Sequence, residues 1–480
     1  MSRWIAQYEP EDDLRPENGS AASPAGMPTT NTRTAAAPDL PCPPGPTGLA
    51  RIYTHLRMIL DPLGTPVKLF ERYGDVVRLN PAVCLVCNPD LVEPIVRDYY
   101  AFGKDFSQTY REAAATFWGN SILVSNDADW LRQRRILQRA LHHSRIAAYG
   151  ETMVSRTARM LDTWHDGESF DLHQRLMRHT LALMTRNLLG MDFSAAENEE
   201  VIAALDATLA LFSDLSQLEL KFDTPEKQRF RETVARLNEI VYVAIARRRA
   251  DPQDHGDMLF ALMNTPDEGG LMTDKELRDE IVTMLRAAHR NTATLLAWSF
   301  ALVAQHPAVD VALADELERV LGGSQPDLGA LPRLSYTERV VKETMRYYPL
   351  YPNVRRDIET AYELGGYRIP AGTALGISIW AMHRDPRFFP DPERFDPSRW
   401  TEAMERSLPK LAFLPFGGGP RQCPFKSYGM FEAVLLLATI AQRYKIELAP
   451  GERAVPHDTV NGLMPKNGLR VVARPRQRVS

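Results

Sequence analysis

The chain is short of cysteine, of long apolar runs and of any excess of one charge. Four cysteines among 480 residues imply no disulfide framework and no oxidising compartment. Cys84 and Cys87 have CxxC spacing, but Val83-Cys84-Leu85-Val86-Cys87 reads as a strand. Residues three apart on a strand point to opposite faces, so a zinc or redox pair is not expected. Cys42 falls in a proline-rich linker. No uninterrupted apolar stretch approaches the roughly 18 residues of a spanning helix. The N-terminus lacks a basic region followed by an apolar one, so neither a signal peptide nor a membrane anchor is expected. A net charge of −4 argues against a nucleic-acid binder dominated by phosphate contacts. No segment recurs at a fixed period, which excludes a solenoid.

What is present supports a large core: the hydrophobic fraction is 44%, ordinary for a globular chain. Residues 1–40 are rich in Ser, Ala, Thr, Pro and charge, the composition of a disordered tail. Pro41 to Pro46 is stiffened by proline's fixed φ. A helix is expected from Thr65 to Tyr73, strands at Asp75 to Leu79 and Val83 to Cys87, and a helix from about Pro89 to Arg97. Tyr99 to Ala128 carries aromatics and glycines without periodicity, the pattern of a binding loop. Amphipathic helices are expected at 145–164, 171–189, 196–213 and 225–250, with 191–230 a candidate lid, and Asp274 to Gln305 reads as one long helix. Glycines mark a hairpin over Leu364 to Gly372. Asn467-Gly468 reads as the turn of a last hairpin between Leu463-Met464 and Leu469-Arg470-Val471-Val472.

The stretch Phe416-Gly417-Gly418-Gly419-Pro420-Arg421-Gln422-Cys423-Pro424-Phe425 is the most informative. Three glycines let backbone turn sharply and pass close to a large flat ligand. Cys423 then stands at the mouth of an apolar helix, with Pro424 suited to the first helical position. A thiolate there is favoured by the helix dipole and nearby amides, and Arg421 is placed to neutralise an acidic edge of the same ligand.

These residues resemble the haem-binding signature F-G-x-G-x-R-x-C of the cytochrome P450 superfamily, with Glu432 where the family's helix carries an acid. Phe425 replaces the family's glycine two residues after the cysteine. Four further motifs follow the family's order. Trp130 and Arg134, four apart on one helical face, resemble the W-x-x-x-R pair whose N–H groups meet a haem propionate; a solvated basic helix is the alternative. Arg132, Arg135 and Arg139 are candidates for a basic face toward an acidic electron-transfer partner. Glu343 and Arg346 match E-x-x-R, and Arg394 lies in the P-E-R-F segment, which together imply a buried structural network of Glu343, Arg346 and Arg394. The family's next propionate-binding arginine is Arg356, with Arg355 as the alternative.

In the long helix, Ala287-Ala288-His289-Arg290-Asn291-Thr292 resembles A-G-x-(D/E)-T-T. Small residues at Ala287 and Ala288 leave room for dioxygen, whereas Arg290 replaces the acid and Asn291 the first threonine. An amide orients water but shuttles a proton less readily than a hydroxyl. Three readings stay open: a relay through water, Thr292 or a substrate hydroxyl; a peroxide-driven enzyme in which Arg290 binds a substrate carboxylate; and a coupling or rearrangement. The alternative for Arg290 is an outward salt bridge to a neighbouring helix.

The resemblance spans about residues 41–475. It implies a mainly α cytochrome P450 fold with small β-sheets as a single catalytic domain over 41–480, with haem b held by Cys423. The haem thiolate of such enzymes favours O–O cleavage. The implied activity is a dioxygen-dependent monooxygenase oxidising a hydrophobic small molecule, the classes suggested by analogy being terpenoids and polyketides. It also implies a soluble, cytoplasmic protein of bacterial type, with separate ferredoxin and ferredoxin reductase as electron donors. Phe102, Tyr110, Phe117 and Trp118 are candidates to line the substrate pocket, or else to cover the core, and Leu350, Tyr351, Asn353 and Val354 are candidates to border it.

Overall fold

Apolar periodicity becomes helix along most of the chain, and short β segments fill the intervals. The computed structural model describes residues 4, 7–8, 39–98, 102–103, 114–213, 223–452, 457–458 and 462–476. The first part contains α1 (Gly48–Leu60), α2 (Gly64–Tyr73), β1 (Val76–Asn80), β2 (Val83–Val86), α3 (Pro89–Arg97) and β3 (Phe102–Gly103). The helical body follows as α4 (Asp127–Ala140), α5 (His143–Leu161), β4 (Ser169–Asp171), α6 (Leu172–Leu189), α7 (Ala195–Ser213), α8 (Pro225–Ala250), α9 (Met258–Asn264), α10 (Asp274–Gln305), α11 (Pro307–Leu321) and α12 (Ser335–Tyr347). Then come β5 (Asn353–Ile358), β6 (Tyr362–Leu364), β7 (Tyr367–Ile369), β8 (Ala374–Ser378), α13 (Ile379–Met382) and α14 (Glu402–Ser407). The C-terminal part holds α15 (Lys426–Arg443), β9 (Tyr444–Leu448), β10 (His457–Asp458), β11 (Met464–Pro465) and β12 (Arg470–Pro475). The mainly helical, small-sheet expectation holds.

Helix α10 is the axis of the molecule. Thr273 and Glu276 close a capping box at its start, satisfying amides that the first turn leaves without partners. Residues 277–285 and 292–303 of it are buried: Trp298 is fully enclosed, donates Nε1–H to the Leu463 carbonyl at 3.0 Å and stacks on Tyr348. One apolar cluster joins α10 to α5, α6, α12 and α15. A second lies beneath the five-stranded sheet, ordered β1-β2-β8-β5-β3. Within that sheet β2 runs parallel to β8, and the other pairs are antiparallel. The proline-rich entry segment is tied to the β structure by Arg78 N–H to Pro44 O and Arg368 N–H to Pro41 O.

Several expectations need correction. The tail composition of residues 1–40 does not leave all of it loose: Trp4 and Tyr8 are buried, and both donate to the Glu338 carboxylate. Two aromatic side chains with polar tips suffice to dock a segment whose average composition is that of a tail. The last hairpin is also different. β11 pairs with β10, and β12 with β9 and β4, so Asn467-Gly468 does not join two paired strands; Gly468 turns the chain at φ 76°. Finally, α15 starts at Lys426, not at Pro424. The amide of Lys426 reaches the Cys423 carbonyl at 3.4 Å, leaving Cys423 in the loop just ahead of the helix.

Candidate functional site

The cysteine loop is a tight return of chain. Cys423 N–H bonds the Phe416 carbonyl at 2.9 Å, and Gln422 N–H bonds that of Gly419 at 2.9 Å. Gly419 makes this possible: its φ is +66°, and a Cβ there would lie 2.1 Å from the Val96 carbonyl oxygen. The Phe425 ring occupies the position where the family has glycine and meets Tyr428 edge to face at 6.2 Å. Burial raises the Cys423 thiol's pKa, opposed by the Phe425 N–H, then by the charges of Arg134 and Lys426. A coordinating metal overrides such a bias, since it deprotonates a thiol outright.

Basic side chains gather around this loop. Trp130 and Arg134, both buried, project from α4, and Arg134 donates Nη1–H to the Gln422 carbonyl at 2.6 Å. The Arg421 guanidinium lies 4.6 Å from the centre of the Trp130 ring and donates to Ser125 O and Asn126 Oδ1. Of the adjacent arginines, Arg356 is buried, while Arg355 is exposed and pairs with Asp357 at 2.7 Å. Burial lowers Arg134 to about 10, and burial, followed by the charge of Arg421, lowers Arg356 to about 10. Among the described residues neither Arg134 nor Arg356 forms a salt bridge with a carboxylate, and Arg134 Nε, although buried, has no hydrogen-bond partner. Buried cations are normally paired. A sulfur in the field of Arg134, with a second buried guanidinium at Arg356 near Arg421 of the same loop, fits an iron porphyrin, whose acidic rim would supply the carboxylates.

The other cations on α4 face elsewhere. Arg132 bonds Glu276, while Arg135 and Arg139 share Asp267. These candidates for a basic face thus form a seam tying α4 to the first turn of α10 and the chain ahead of it, with Arg139 still largely exposed.

Below the loop, Glu343 is the centre of a buried polar cluster. It takes two bonds from Arg346 at 2.9 Å, one from Arg399 at 3.0 Å and one from Trp400 Nε1–H at 2.9 Å. Arg394 contributes only its backbone carbonyl, to Arg346 and Arg399. Its side chain is exposed and lies 3.8 Å from Asp396. Arg399 thus takes the place expected of Arg394, because the turns between Asp391 and Arg399 aim the later arginine inward. Sequence reasoning missed Arg399 and Trp400; the signal was an Arg-Trp pair five residues beyond Arg394. It also missed His383, whose ring accepts the Leu414 N–H at 2.9 Å and whose buried imidazole is pushed down to about 3.

Along α10 the candidate residues face three ways. Thr292 donates to Glu432 Oε2 at 2.6 Å. Asn291, half-buried, accepts from the Tyr351 hydroxyl at 3.4 Å. Arg290 is buried and reaches Met464 Sδ at 2.6 Å, at the wall of a cavity of about 500 Å³ also lined by His173, Asp206 and Arg286. Burial raises the Asp206 carboxyl, partly offset by the Arg290 charge. Ala287 is half-buried.

Of the proposed pocket aromatics, Phe117 and Trp118 are buried in the main core, edge to face at 5.2 Å. Tyr110 and the side chains of Phe102 and Ala288 lie outside the described residues; the Phe102 backbone pairs with Ile358. Leu350 and Val354 are half-buried, whereas Tyr351 and Asn353 are exposed. The Leu350 carbonyl accepts the Leu463 N–H at 2.7 Å. Cys84 and Cys87 are buried, and no group of His, Cys, Asp and Glu among the described residues has the arrangement of a metal site. No single helix among them is long and apolar enough to cross a membrane.

Comparison with known proteins agrees with this geometry. The family model "Cytochrome P450" matches residues 43–472. Cyclooctatin synthase of Streptomyces melanosporofaciens is 34% identical over 84% of this chain and 89% of its own length. Cyclooctat-9-en-7-ol 5-monooxygenase of the same organism is 34% identical over 79% and 84%, and pentalenene oxygenase of Streptomyces avermitilis 29% over 84% and 91%. Among solved structures, the cytochrome P450DA heme domain superposes with a TM-score of 0.80 at 23% identity, over 92% of this chain and 99% of that one. A retinoic acid-bound cyanobacterial cytochrome P450 gives 0.78 at 22% identity, over 91% and 100%. The chain belongs to the cytochrome P450 family and is an oxygen-incorporating oxidoreductase.

Proposed function

We propose that residues 41–480 form one catalytic domain that binds haem b through Cys423 and oxidises a terpenoid, using electrons from a separate ferredoxin and its reductase in the cytoplasm. When bound, the haem supplies the activation of dioxygen. The observation that carries the reading is Cys423 in the charge field of Arg134, with buried Arg356 beside Arg421 of the same loop, and neither Arg134 nor Arg356 in a salt bridge among the described residues. Cys423 would hold the iron. Arg134, Arg356, Arg421 and the indole N–H of Trp130 would bind the acidic rim, with Phe416 closing the loop through its carbonyl.

Ala287, half-buried, would leave space beside α10, and Asn291, joined to Tyr351, would orient a water at that helix face. Thr292 is held by Glu432 and serves packing in this scheme. Arg290 is engaged at Met464, so the carboxylate-binding form of a peroxide-driven enzyme gains no support from its direction. The terpenoid class rests on the relatives: one is named for cyclooctat-9-en-7-ol and another for pentalenene.

The test begins with reduced protein and carbon monoxide, which should give the red-shifted Soret band of thiolate ligation in wild type and not in Cys423→Ser. Cyclic terpenes and terpene alcohols are then titrated for spectral shifts. Turnover is compared with NADPH plus ferredoxin and reductase against hydrogen peroxide alone. Oxidation of a terpene only with the electron-transfer proteins is the expected result; turnover with peroxide alone would overturn this choice of oxidant.

A further inference from the structure

Trp4 and Tyr8 lie beside the cysteine loop, far from it in sequence. Trp4 Nε1–H bonds Glu338 Oε2 at 2.7 Å, the Tyr8 hydroxyl bonds Glu338 Oε1, and the two rings meet edge to face at 5.3 Å. The Tyr8 ring is 5.8 Å from Lys342 Nζ and 6.0 Å from Lys426 Nζ, within reach of cation–π attraction. Lys426 follows Cys423 by three positions, and its charge acts to lower the thiol's pKa. Two features make this contact an addition to the fold and not part of its frame. Glu338 has a cation of its own in Lys342, one turn along α12 at 2.9 Å, so it stays paired when the aromatic rings leave. Packing between the rings and the loop is also incomplete: a cavity of about 250 Å³ is lined by Tyr8, by Phe416 and Gln422 of the loop, and by Lys342, Lys410 and Lys426.

We propose that Trp4 and Tyr8 anchor a displaceable cover over the face on which an acidic electron donor docks, so that cover and donor compete for it. The inference rests on the reading of Cys423 as the haem ligand. Electron transfer weakens steeply with distance, which favours approach where the loop lies closest to the surface. That place is here, since the cavity joins exposed Lys410 and Glu405 to Phe416 and Gln422, whereas α10 runs through the main core. Among the described residues the cavity wall carries three lysines and one acid, Glu405, a balance that suits an acidic partner. Arg132 and Arg135 on α4 are closed into ion pairs with Glu276 and Asp267 and offer less. In sequence Tyr8 is followed by Glu9, Glu11, Asp12 and Asp13, so the anchored chain and an acidic donor carry charge of the same sign.

The holoenzyme is titrated calorimetrically with an oxidised plant-type ferredoxin at low and high salt. Trp4→Ala/Tyr8→Ala should bind it about tenfold more tightly than wild type, because affinity for a face open only part of the time is reduced by the open fraction. Tyr8→Phe keeps the ring, loses the bond to Glu338 and should fall between the two. Lys410→Glu should weaken binding in both backgrounds and reduce its salt dependence. Hydrogen exchange at residues 4–8 of wild type should quicken when ferredoxin is added. The carbon monoxide band of dithionite-reduced protein is recorded first for each variant. Its absence in wild type would remove the haem–thiolate reading itself. A normal band with ferredoxin affinity unchanged or weaker in Trp4→Ala/Tyr8→Ala would overturn the cover alone. So would affinity indifferent to Lys410→Glu, exchange at 4–8 that does not quicken, or no ferredoxin binding by any of the proteins.

Discussion

Thr292 on α10 donates its hydroxyl to Glu432 on α15 at 2.6 Å, joining the central helix to the helix that follows the cysteine loop. Burial raises the Glu432 carboxyl from its ordinary 4.5 to about 7, partly offset by bonds from Thr292 and Tyr428. Below about pH 4.5 the group is protonated in both folded and unfolded chains and costs nothing. As pH rises toward 7, the unfolded chain releases the proton and the folded one keeps it, so stability falls through that window. The loss is at most ~3 kcal/mol. Glu280, pushed up to about 8 by burial, acts with the same sign. Urea unfolding at several pH values should therefore show Glu432→Gln with a shallower decline than wild type, and Glu280→Gln likewise. An unchanged slope in Glu432→Gln would mean that this carboxyl titrates normally.

The cluster at Glu343 separates two arginines that look alike in sequence. Arg346 is fully buried and doubly bonded to Glu343, and removing one partner of such a pair costs about 3–5 kcal/mol. Arg346→Ala should fall in that range. Arg399→Ala should be clearly destabilising, because it removes a bond to Glu343 and bonds to three carbonyls. Arg394→Ala should stay within about 0.5 kcal/mol of wild type. Chemical denaturation of the three variants decides the ranking, and a large effect at Arg394 would contradict it.

What could be read from the chain beforehand was whatever depends on local spacing. The boundaries of α10 follow from periodicity and the pairing of Glu343 with Arg346 from motif order, and the family resemblance singled out Arg356, which proves to be the buried one of the two adjacent arginines. The direction of Arg399 was hidden, because it depends on irregular turns that include Asp391 at φ 46°. So was the docking of Trp4 and Tyr8 on Glu338, a contact across more than 300 positions whose partner no local pattern announces. The three directions taken by Arg290, Asn291 and Thr292 depend on which neighbours surround α10. Composition also concealed α1, whose apolar residues are spaced along one face and form no continuous run.

Arg134 and Arg356 make opposite contributions with and without an anionic ligand. In the apoprotein each is a buried cation without a carboxylate, a cost that follows from lost hydration. Arg356→Leu should therefore raise the melting temperature of the apoprotein while lowering haem retention, measured by haem transfer to a scavenger protein. Arg355→Leu, at an exposed position, should leave retention near wild type. If Arg356→Leu destabilised the apoprotein and spared haem retention, the arginine's role would be structural.

Two glycines of the cysteine loop share a positive φ but differ in surroundings. At Gly417, where φ is +71°, a methyl group on the Cα would have nothing within 4 Å, whereas at Gly419 it would meet the Val96 carbonyl. Gly417→Ala should cost only the left-handed strain of about 1–2 kcal/mol. Gly419→Ala has to displace backbone as well, and should both destabilise the protein and reduce thiolate-ligated haem. Equal losses in stability and in the carbon monoxide band would show that the clash is relieved cheaply.

The departure of this chain from its family at Asn291, next to the retained Thr292, leads to the last test. A hydroxyl committed to a buried carboxyl at 2.6 Å is poorly placed to exchange protons with a substrate pocket, whereas the Asn291 amide, at 3.4 Å from Tyr351, retains capacity to hold water. Asn291→Ala should therefore lower the fraction of NADPH consumption that ends in product by about tenfold, less than the roughly 10²–10⁴-fold of a lost general acid because the amide only positions water, with excess peroxide released and little change in melting temperature. Thr292→Val should do the converse. It leaves a buried carboxyl short of a donor, costing about 1–3 kcal/mol, and preserves coupling. Should Thr292→Val uncouple the reaction while Asn291→Ala does not, the proton route runs from Glu432 through Thr292, and the amide is a packing residue.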